Sequence, residues 1–117
     1  MRHNVKKVKL GVNKDHTTAL MRNLAMSVII YDKIKTTSAK AKAVQPFVER
    51  LIEIAKKGPK LEAIRHIESL LQHEDSSKKI FDVLVEKYKE RKGGYTRMVH
   101  LGYRSGDNAP VVQLELV

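Results

Sequence analysis

The chain contains no cysteine among its 117 residues. Disulfide bridges, thiolate zinc sites and thiol catalysis are therefore excluded, and the composition fits a reducing compartment. The longest uninterrupted apolar run, Val28 to Tyr31, is far shorter than the ~18 residues that a membrane-spanning helix needs. No apolar signal core follows Met1, so we expect a soluble protein with no export or organelle signal.

Aromatic residues are scarce, at 5% of the chain. This scarcity argues against a dedicated single-strand-binding platform, in which successive bases stack on aromatic rings. The length fits one small domain with a single modest core and leaves no room for a second domain.

The residue patterns of catalytic and metal sites are also missing. The five histidines are scattered and form no His-Glu-x-x-His arrangement. Carboxylates such as Glu74 and Asp75 stand among lysines, where solvated pairing along a helix is the usual explanation. We therefore predict no enzyme, no metal site and no cofactor.

Acidic residues are rare in the first part of the chain. The net charge is +10, and residues 1–50 carry 11 basic and 3 acidic groups, against 10 and 8 in residues 51–92 and 2 and 2 in residues 93–117. A face kept soluble by charge normally mixes both signs. The polarised excess therefore indicates a polyanionic partner, nucleic acid first and an anionic membrane surface second.

The first half of the chain predicts a basic arm, a helix and a short strand. Residues 1–14 have too few apolar side chains to fold by themselves, which predicts an extended arm. Asp15 is a possible N-cap for a helix over residues 16–31. Residues 33–37 are short and alternating, which favours a strand with Lys33 and Lys35 on one side.

Three helical patterns follow the strand. Thr37 or Ser38 can cap a helix closed by Gly58-Pro59, and Pro46 inside it predicts a kink or a second start. Pro59 can be the first residue of the next helix, which the polar residues 72–77 end. Ser77 can cap a fourth helix that ends before Gly93.

The last part of the chain predicts a β-hairpin. Residues 95–104 are rich in β-formers, residues 111–117 alternate, and the residues between them have turn chemistry. Pro110 is expected at the start or the edge of a strand. The predicted fold is an α+β domain over residues 15–117 with two layers, in the order helix, strand, three helices and two strands. Its small three-stranded sheet is covered on one face by helices.

The basic residues are the best candidates for function. Lysine and arginine suit phosphate oxygens, and contacts to even six phosphates would make binding steeply salt-dependent. Either Tyr95 or Tyr103 can stack on an unpaired base or serve as a core tyrosine. The basic candidates in the first half are Lys6, Lys7, Lys9, Lys14, Arg22, Lys33, Lys35, Lys40 and Lys42.

The chain also resembles a known family from end to end. The residues that carry the resemblance are Met1-Arg2-His3, Leu10-Gly11, His16, Arg22-Asn23, Ile34 with Thr36-Thr37, Ala39-Lys40-Ala41-Lys42, Leu51-Ile52, Ala55-Lys56, Gly93-Gly94-Tyr95-Thr96-Arg97, Gly102 with Arg104, Gly106-Asp107-Asn108-Ala109 and Glu115-Leu116-Val117. In combination they are similar to the pattern of the bacterial large-subunit ribosomal protein numbered seventeen. The chain departs from that pattern at Asn4, Val12 and Thr17, where the family usually has basic residues, so those contacts are not carried over.

The resemblance implies a non-catalytic component of the large ribosomal subunit in the cytoplasm. It implies binding to large-subunit ribosomal RNA near the exit of the nascent-peptide tunnel and contact with other ribosomal proteins, notably the one numbered thirty-two. It implies no membrane, small-molecule substrate or cofactor. From charge and resemblance together, the expected RNA-binding residues are Arg2, His3, Lys6, Lys7, Lys9, Lys14, His16, Arg22, Lys33, Lys35, Thr36, Thr37, Lys40, Lys42, Tyr95, Arg97 and Arg104.

Two functions from other classes fit the same residues. A nucleoid-type DNA-binding protein would use the same polarised charge, and it predicts a dimer that binds duplex DNA at least as tightly as RNA. A small RNA-processing enzyme would need a magnesium-dependent activity that is lost when one carboxylate is removed.

Deletion of residues 2–9 tests the division into arm and domain. We expect less incorporation into large subunits, because phosphate contacts are lost, and a nearly unchanged melting temperature of the isolated chain. Sedimentation and a thermal melt measure the two quantities. A large loss of thermal stability would mean that the arm packs on the core.

Overall fold

The first helix begins earlier than its periodicity predicts. The structure is a computed structural model that describes residues 10, 11 and 13–117, and its helix α1 spans Lys14–Tyr31. Asn13 is the N-cap, since its side-chain oxygen accepts a hydrogen bond of 2.8 Å from the His16 amide. The prediction of Asp15 as the cap is wrong; Asp15 lies in the first turn, where a carboxylate is favoured by the helix dipole.

The predicted strand and the long second helix are both present. Strand β1 spans Lys33–Thr37, and helix α2 runs from Ser38 to Lys57 with Pro46 inside it. No second start interrupts α2. A proline in a helix interior costs ~3 kcal/mol, and burial of flanking residues such as Val44 and Val48 offsets that cost, since tertiary packing supplies most helical stability in proteins.

The remaining helices form the rest of the helical layer. Helix α3 spans Lys60–Leu71 with Pro59 as its N-cap rather than its first residue. Helix α4 spans Glu74–Lys79, a π-helical stretch spans Ile80–Leu84 and α5 spans Val85–Lys87; these three follow one another directly.

The cap of α4 differs from the prediction. His73, not Ser77, is the N-cap, and its side chain accepts from the Ser76 amide. Ser77 is buried, and its hydroxyl donates to the His73 carbonyl over 3.0 Å. Ser77 therefore lies inside α4 and hydrogen-bonds to its N-cap residue instead of being the N-cap itself.

The hairpin and the three-stranded sheet are confirmed. Strand β2 spans Thr96–Tyr103 and β3 spans Pro110–Leu116. The strand order is β1-β3-β2, and both pairings are antiparallel. A register shift between His100 and Gly102 marks an irregularity in β2, which is the signature of a β-bulge.

One hydrophobic core lies between the helices and the inner face of the sheet. Val112, Leu114 and Leu116 of β3 are buried there, at the alternate positions that a strand directs to one face. The helices contribute Ala25, Val28, Ile29, Ala41, Val44, Val48, Leu51, Ile52, Ala55, Ile67, Leu71, Ile80, Leu84 and the adjoining Tyr88. The predicted α+β architecture with helices on one face of the sheet is therefore confirmed.

The residues before β2 attach the hairpin to α2. Tyr95 is fully buried, and its ring centroid lies 5.1 Å from that of Tyr88. Its hydroxyl donates to the Glu53 carboxylate and accepts from the Lys56 ammonium at 2.8 Å. The hydroxyl also holds the pKa of Glu53 below its ordinary value, because a hydrogen bond favours the charged carboxylate.

The arm lies largely outside the described residues. Residues 1–9 and 12 are not described, so the division into an arm over residues 1–14 and a domain over residues 15–117 stays a prediction.

The Tyr95 hydroxyl gives the fold a stability test. Tyr95→Phe keeps the buried ring but removes a partner of Glu53 and Lys56, and we expect a loss of about 1–3 kcal/mol in the free energy of unfolding. For a domain of about this size, each kcal/mol lowers the melting temperature by roughly 4–8 °C. Tyr31→Phe is the control, because Tyr31 is 71% exposed. Equal melting temperatures for the two variants would contradict this role of the hydroxyl.

Candidate nucleic-acid interface

The outer face of the sheet carries charged and polar side chains in register, together with the exposed apolar residue Val99. In register, Lys33 of β1 is opposite Glu115 of β3, and Glu115 is opposite Arg97 of β2. The next row on this face begins with Lys35 opposite Gln113. Alternate residues of a strand share a face. The alternation that buries the apolar residues of β3 on the inner face therefore places its polar residues, and their partners on β1 and β2, on the outer face.

An ion pair orders one side of this face. The Arg97 guanidinium lies 2.5 Å from the Glu115 carboxylate, and Gln113 donates to the other carboxylate oxygen over 3.0 Å. These two contacts, Arg97 first, hold the pKa of Glu115 below its ordinary value. Within the described part of the chain, no carboxylate lies within 4.0 Å of the Lys33 or Lys35 ammonium, so the face has a net positive charge.

A groove opens at one end of the sheet, beside the start of α2, and residues of all three strands line it. It has a volume of about 510 Å³ and is lined by residues 35–37, Lys40, residues 101–104 and Val111. We call it the sheet-end groove. Lys35 belongs both to this groove and to the outer face, so the two surfaces are continuous.

The start of α2 adds further positive potential to this end of the sheet. Thr37 is its N-cap but makes no side-chain capping bond, and the first turn has no acidic residue. Unpaired backbone amides and the helix dipole make a helix N-terminus positive. Lys40 is half-buried beside the groove and Lys42 is exposed.

The turn between β2 and β3 is held by its own hydrogen bonds. Arg104 Nε donates to Asp107 over 3.0 Å, a second guanidinium nitrogen contacts the same carboxylate, and the Ala109 amide donates to it over 3.2 Å. Gly106 has φ 100° and Asn108 has φ 57°, which are backbone conformations that favour glycine and tolerate asparagine. Arg104 lowers the pKa of Asp107 to about 2, and the Ala109 amide contributes after it.

The N-terminal end of α1 forms a second, separate basic region. Lys14 and His16 are exposed there, and residues 13–20 include no buried residue. From the rise of a helix over Lys14–Tyr31, the Cα atoms of Lys14 and Lys33 are at least ~18 Å apart. The described basic residues therefore do not converge into one cluster.

Comparison of the sequence with known proteins identifies its family. A sequence profile of the family "Ribosomal protein L17" matches residues 20–117. Large ribosomal subunit protein bL17 of Hyphomonas neptunium is 44% identical over 117 residues, which cover 100% of this chain and 83% of that protein. The bL17 proteins of Desulforudis audaxviator (43% over 109 residues, 93% of this chain and 96% of that protein) and Endomicrobium trichonymphae (46% over 109 residues, 93% and 92%) are similar as well.

The chain belongs to the ribosomal protein L17 family. The resemblance noted from the sequence is therefore confirmed, and the matched residues include the whole sheet, the sheet-end groove and most of α1. The L17 family is one of ribosomal proteins.

Two expected RNA-binding residues of this L17-family chain have internal roles. Tyr95 is fully buried, so it is a core tyrosine, and the expectation that its ring contacts RNA is wrong. Arg22 is half-buried, and its Nε donates to the Leu70 carbonyl over 2.9 Å while a terminal nitrogen donates to the Gln72 side chain over 3.3 Å. Arg22 thus supplies a hydrogen-bond donor to a backbone carbonyl in the last turn of α3.

The other expected residues fall into three groups. Lys33, Lys35, Thr36, Thr37, Lys40, Lys42, Arg97 and Arg104 lie on the outer face, in the sheet-end groove or at the start of α2. Lys14 and His16 lie on α1. Arg2, His3, Lys6, Lys7 and Lys9 lie outside the described residues.

Sequence reasoning missed the groove residues Leu101, Gly102 and Val111. Gly102, inside the predicted strand, was the available signal, since an isolated glycine in a strand often marks a bulge or a close approach. Among the described residues, no group of three or more histidine, aspartate or glutamate side chains is arranged to hold a metal ion. No described helix is long and apolar enough to cross a bilayer.

The Arg104–Asp107 pair predicts a pH dependence of the turn. Because the folded-state pKa of Asp107 is depressed to about 2 from an ordinary ~3.9, the pair stabilises the turn above about pH 4, and this contribution is lost as the pH falls toward 2. We expect Arg104→Gln to raise the pKa of Asp107, as measured by NMR titration of its carboxyl carbon. Arg97→Gln is the matched control, since Arg97 pairs with Glu115. An unchanged Asp107 pKa in the Arg104 variant would contradict the assignment.

Proposed function

We propose that this chain is a structural constituent of the large ribosomal subunit that binds large-subunit ribosomal RNA and has no catalytic activity or cofactor of its own. Similarity to large ribosomal subunit protein bL17 over the full chain supports this role. The single structural observation that carries it is the outer face of the sheet, where Lys33, Lys35 and Arg97 outnumber one carboxylate, Glu115.

The outer face and the sheet-end groove form the main RNA contact in this proposal. Lys33 and Lys35 neutralise phosphates as point charges, and Arg97 offers a guanidinium that Glu115 holds in place, while Gln113 donates to the other oxygen of that carboxylate. Lys40, Lys42, Thr36 and Thr37 extend the contact around the start of α2. Such groups bind backbone and shape rather than base sequence.

A second contact involves the arm and the beginning of α1. Lys14 and His16 are exposed on turns that contribute nothing to the core, and the residues preceding them carry no acidic group. Because this region lies at least ~18 Å from Lys33, the two contacts would reach different phosphates. We propose that the chain holds separate RNA segments together in this way.

The family resemblance supports finer proposals about the surroundings. We propose that the chain lies in cytoplasmic ribosomes near the exit of the nascent-peptide tunnel and contacts the large-subunit protein numbered thirty-two. Sedimentation of a cell lysate at low and high salt tests the subunit assignment, since the chain should travel with the large subunit. A chain that stays in the soluble fraction at both salt concentrations would overturn it.

The two alternatives predict other outcomes. A nucleoid-type DNA-binding protein would sediment with DNA and bind duplex DNA at least as tightly as ribosomal RNA. An RNA-processing enzyme would show a magnesium-dependent activity toward RNA. Neither alternative accounts for similarity to bL17 over the whole chain.

A pair of charge-matched variants tests the outer face. We expect Lys33→Ala with Lys35→Ala to weaken binding to purified large-subunit ribosomal RNA and to reduce the slope of log K against log salt by roughly 2, because each phosphate contact contributes about 1. Filter binding over a range of salt concentrations measures both quantities.

The control is Lys57→Ala with Lys78→Ala, which removes the same positive charge from helix surfaces. Lys57 and Lys78 pair with Glu53 and Glu74 at 3.0 and 3.2 Å. The two double variants have equal net charge, so a difference between their salt slopes shows that the location of the lysines, and not the net charge alone, determines the binding. Equal slopes would show that the outer face makes no specific phosphate contact.

A further inference from the structure

We infer that the sheet-end groove binds a single unstacked nucleotide of the ribosomal RNA, with the base against Tyr103 and the phosphate between Lys35 and Lys40. The inference rests on the proposed function, because the RNA supplies the nucleotide.

Tyr103 is placed as a stacking surface. It is 72% exposed at the end of β2, and it lines both the sheet-end groove and a neighbouring concavity that includes Ser38, His100 and Pro110. The ring therefore stands between two open spaces instead of packing on the core. Leu101, which is also exposed, adds an apolar surface beside it, and base–aromatic stacking tolerates any base.

The bulge in β2 explains why Tyr103 reaches this position. The register shift between His100 and Gly102 leaves Leu101 without a partner and pairs Tyr103 with Pro110. A bulge re-aims the side chains that follow it. Gly102 has φ 119°, in a region that side-chain-bearing residues rarely adopt, so a glycine is needed where the strand changes direction.

The groove also carries charge that suits one phosphate group. Lys35 comes from β1 and Lys40 from α2, and both line the groove, with Thr36 and Thr37 between them in the sequence. Arg104 lines it as well, and its guanidinium is held by Asp107. Because this ion pair offsets the negative charge of Asp107, the carboxylate does not repel a phosphate, and the groove remains attractive to an anion.

Together these groups select a nucleotide over other anions. Inorganic phosphate would use the lysines but not the exposed ring, and an apolar ligand would use the ring but not the lysines. A stacked duplex cannot present a base face to Tyr103, whereas an extrahelical nucleotide presents a base and a phosphate at once. A volume of about 510 Å³ lies within the range of small-ligand sites, ~300–1,000 Å³.

NMR titration of the full chain with adenosine 5′-monophosphate, ribose 5-phosphate and inorganic phosphate tests the inference. We expect saturable amide shifts at residues 35–37 and 101–104, with adenosine 5′-monophosphate bound about 5-fold or more tightly than ribose 5-phosphate, because only the former stacks. Tyr103→Ala should abolish this difference and Tyr103→Phe should keep it. Lys40→Ala should weaken both ligands.

The control is Tyr31→Ala, which removes an equally exposed tyrosine that does not line the groove and should change neither affinity. Equal affinity for adenosine 5′-monophosphate and ribose 5-phosphate in the unaltered chain, or shifts confined to other residues, would overturn the inference. Circular dichroism verifies that each variant is folded. If Tyr103→Ala does not fold, the comparison of Tyr103→Phe with Tyr103→Leu decides, since only the former retains an aromatic ring.

Chemical probing of large subunits that contain the chain supplies the ribosomal side of the test. We expect one unpaired nucleotide to be protected with the unaltered chain and reactive with Tyr103→Ala, while both chains still sediment with the subunit. An unchanged probing pattern would overturn the groove assignment and leave the structural role intact. A chain that never sediments with the subunit would instead overturn the proposed function.

Discussion

Insertion of β3 between β1 and β2 is the constraint on which the rest of the structure depends. Strand β3 supplies partners to both neighbours, and its inner residues complete the core against the helices. The pairing of Lys33 with Glu115 joins residues far apart in the sequence, so its loop-closure entropy must be offset by burial along β3. The same register aligns Lys33, Glu115 and Arg97 across the outer face. The register of β3 with its two neighbours therefore determines both the core packing on one face of the sheet and the candidate interface on the other.

The segment from Gly93 to Arg97 carries part of the family resemblance and is mostly structural. Tyr95 and Thr96 are both buried; Thr96 donates to the Glu49 carboxylate and accepts from the Gln45 side chain, both at 3.0 Å. These contacts attach the start of β2 to α2 through polar groups, each of which has a partner, as buried polar groups require. Of the five residues, Arg97 alone is an exposed cation on the outer face. Family-specific residues can thus position an interface without belonging to it.

Period-two and helical patterns were sufficient for the order of elements, the sheet and the apolar face of β3, because burial on one face imposes that periodicity on the sequence. Local signals for helix starts were less reliable: Asn13 rather than Asp15 caps α1, and His73 rather than Ser77 caps α4. Helix boundaries are the least certain part of an assignment made from sequence. The roles of Tyr95 and Tyr103 were beyond sequence alone. Both residues are an even number of positions from Arg97, so strict alternation would place them on the same face of the sheet as Arg97. However, Tyr95 precedes β2 and Tyr103 follows its bulge. Alternation fails at both places.

In the proposed RNA-binding role, the separation of the two basic regions would determine how the chain holds RNA. Lys14 and His16 are fixed to the same rigid helix whose C-terminal half packs in the core, so their distance from the outer face is set by the fold and not by a flexible linker. When one region is bound, the other is presented to nearby RNA at a high effective concentration. Each region then needs only modest affinity. In that role a fixed spacing would also select RNA by shape, because phosphates at other separations would engage one region and leave the second unpaired.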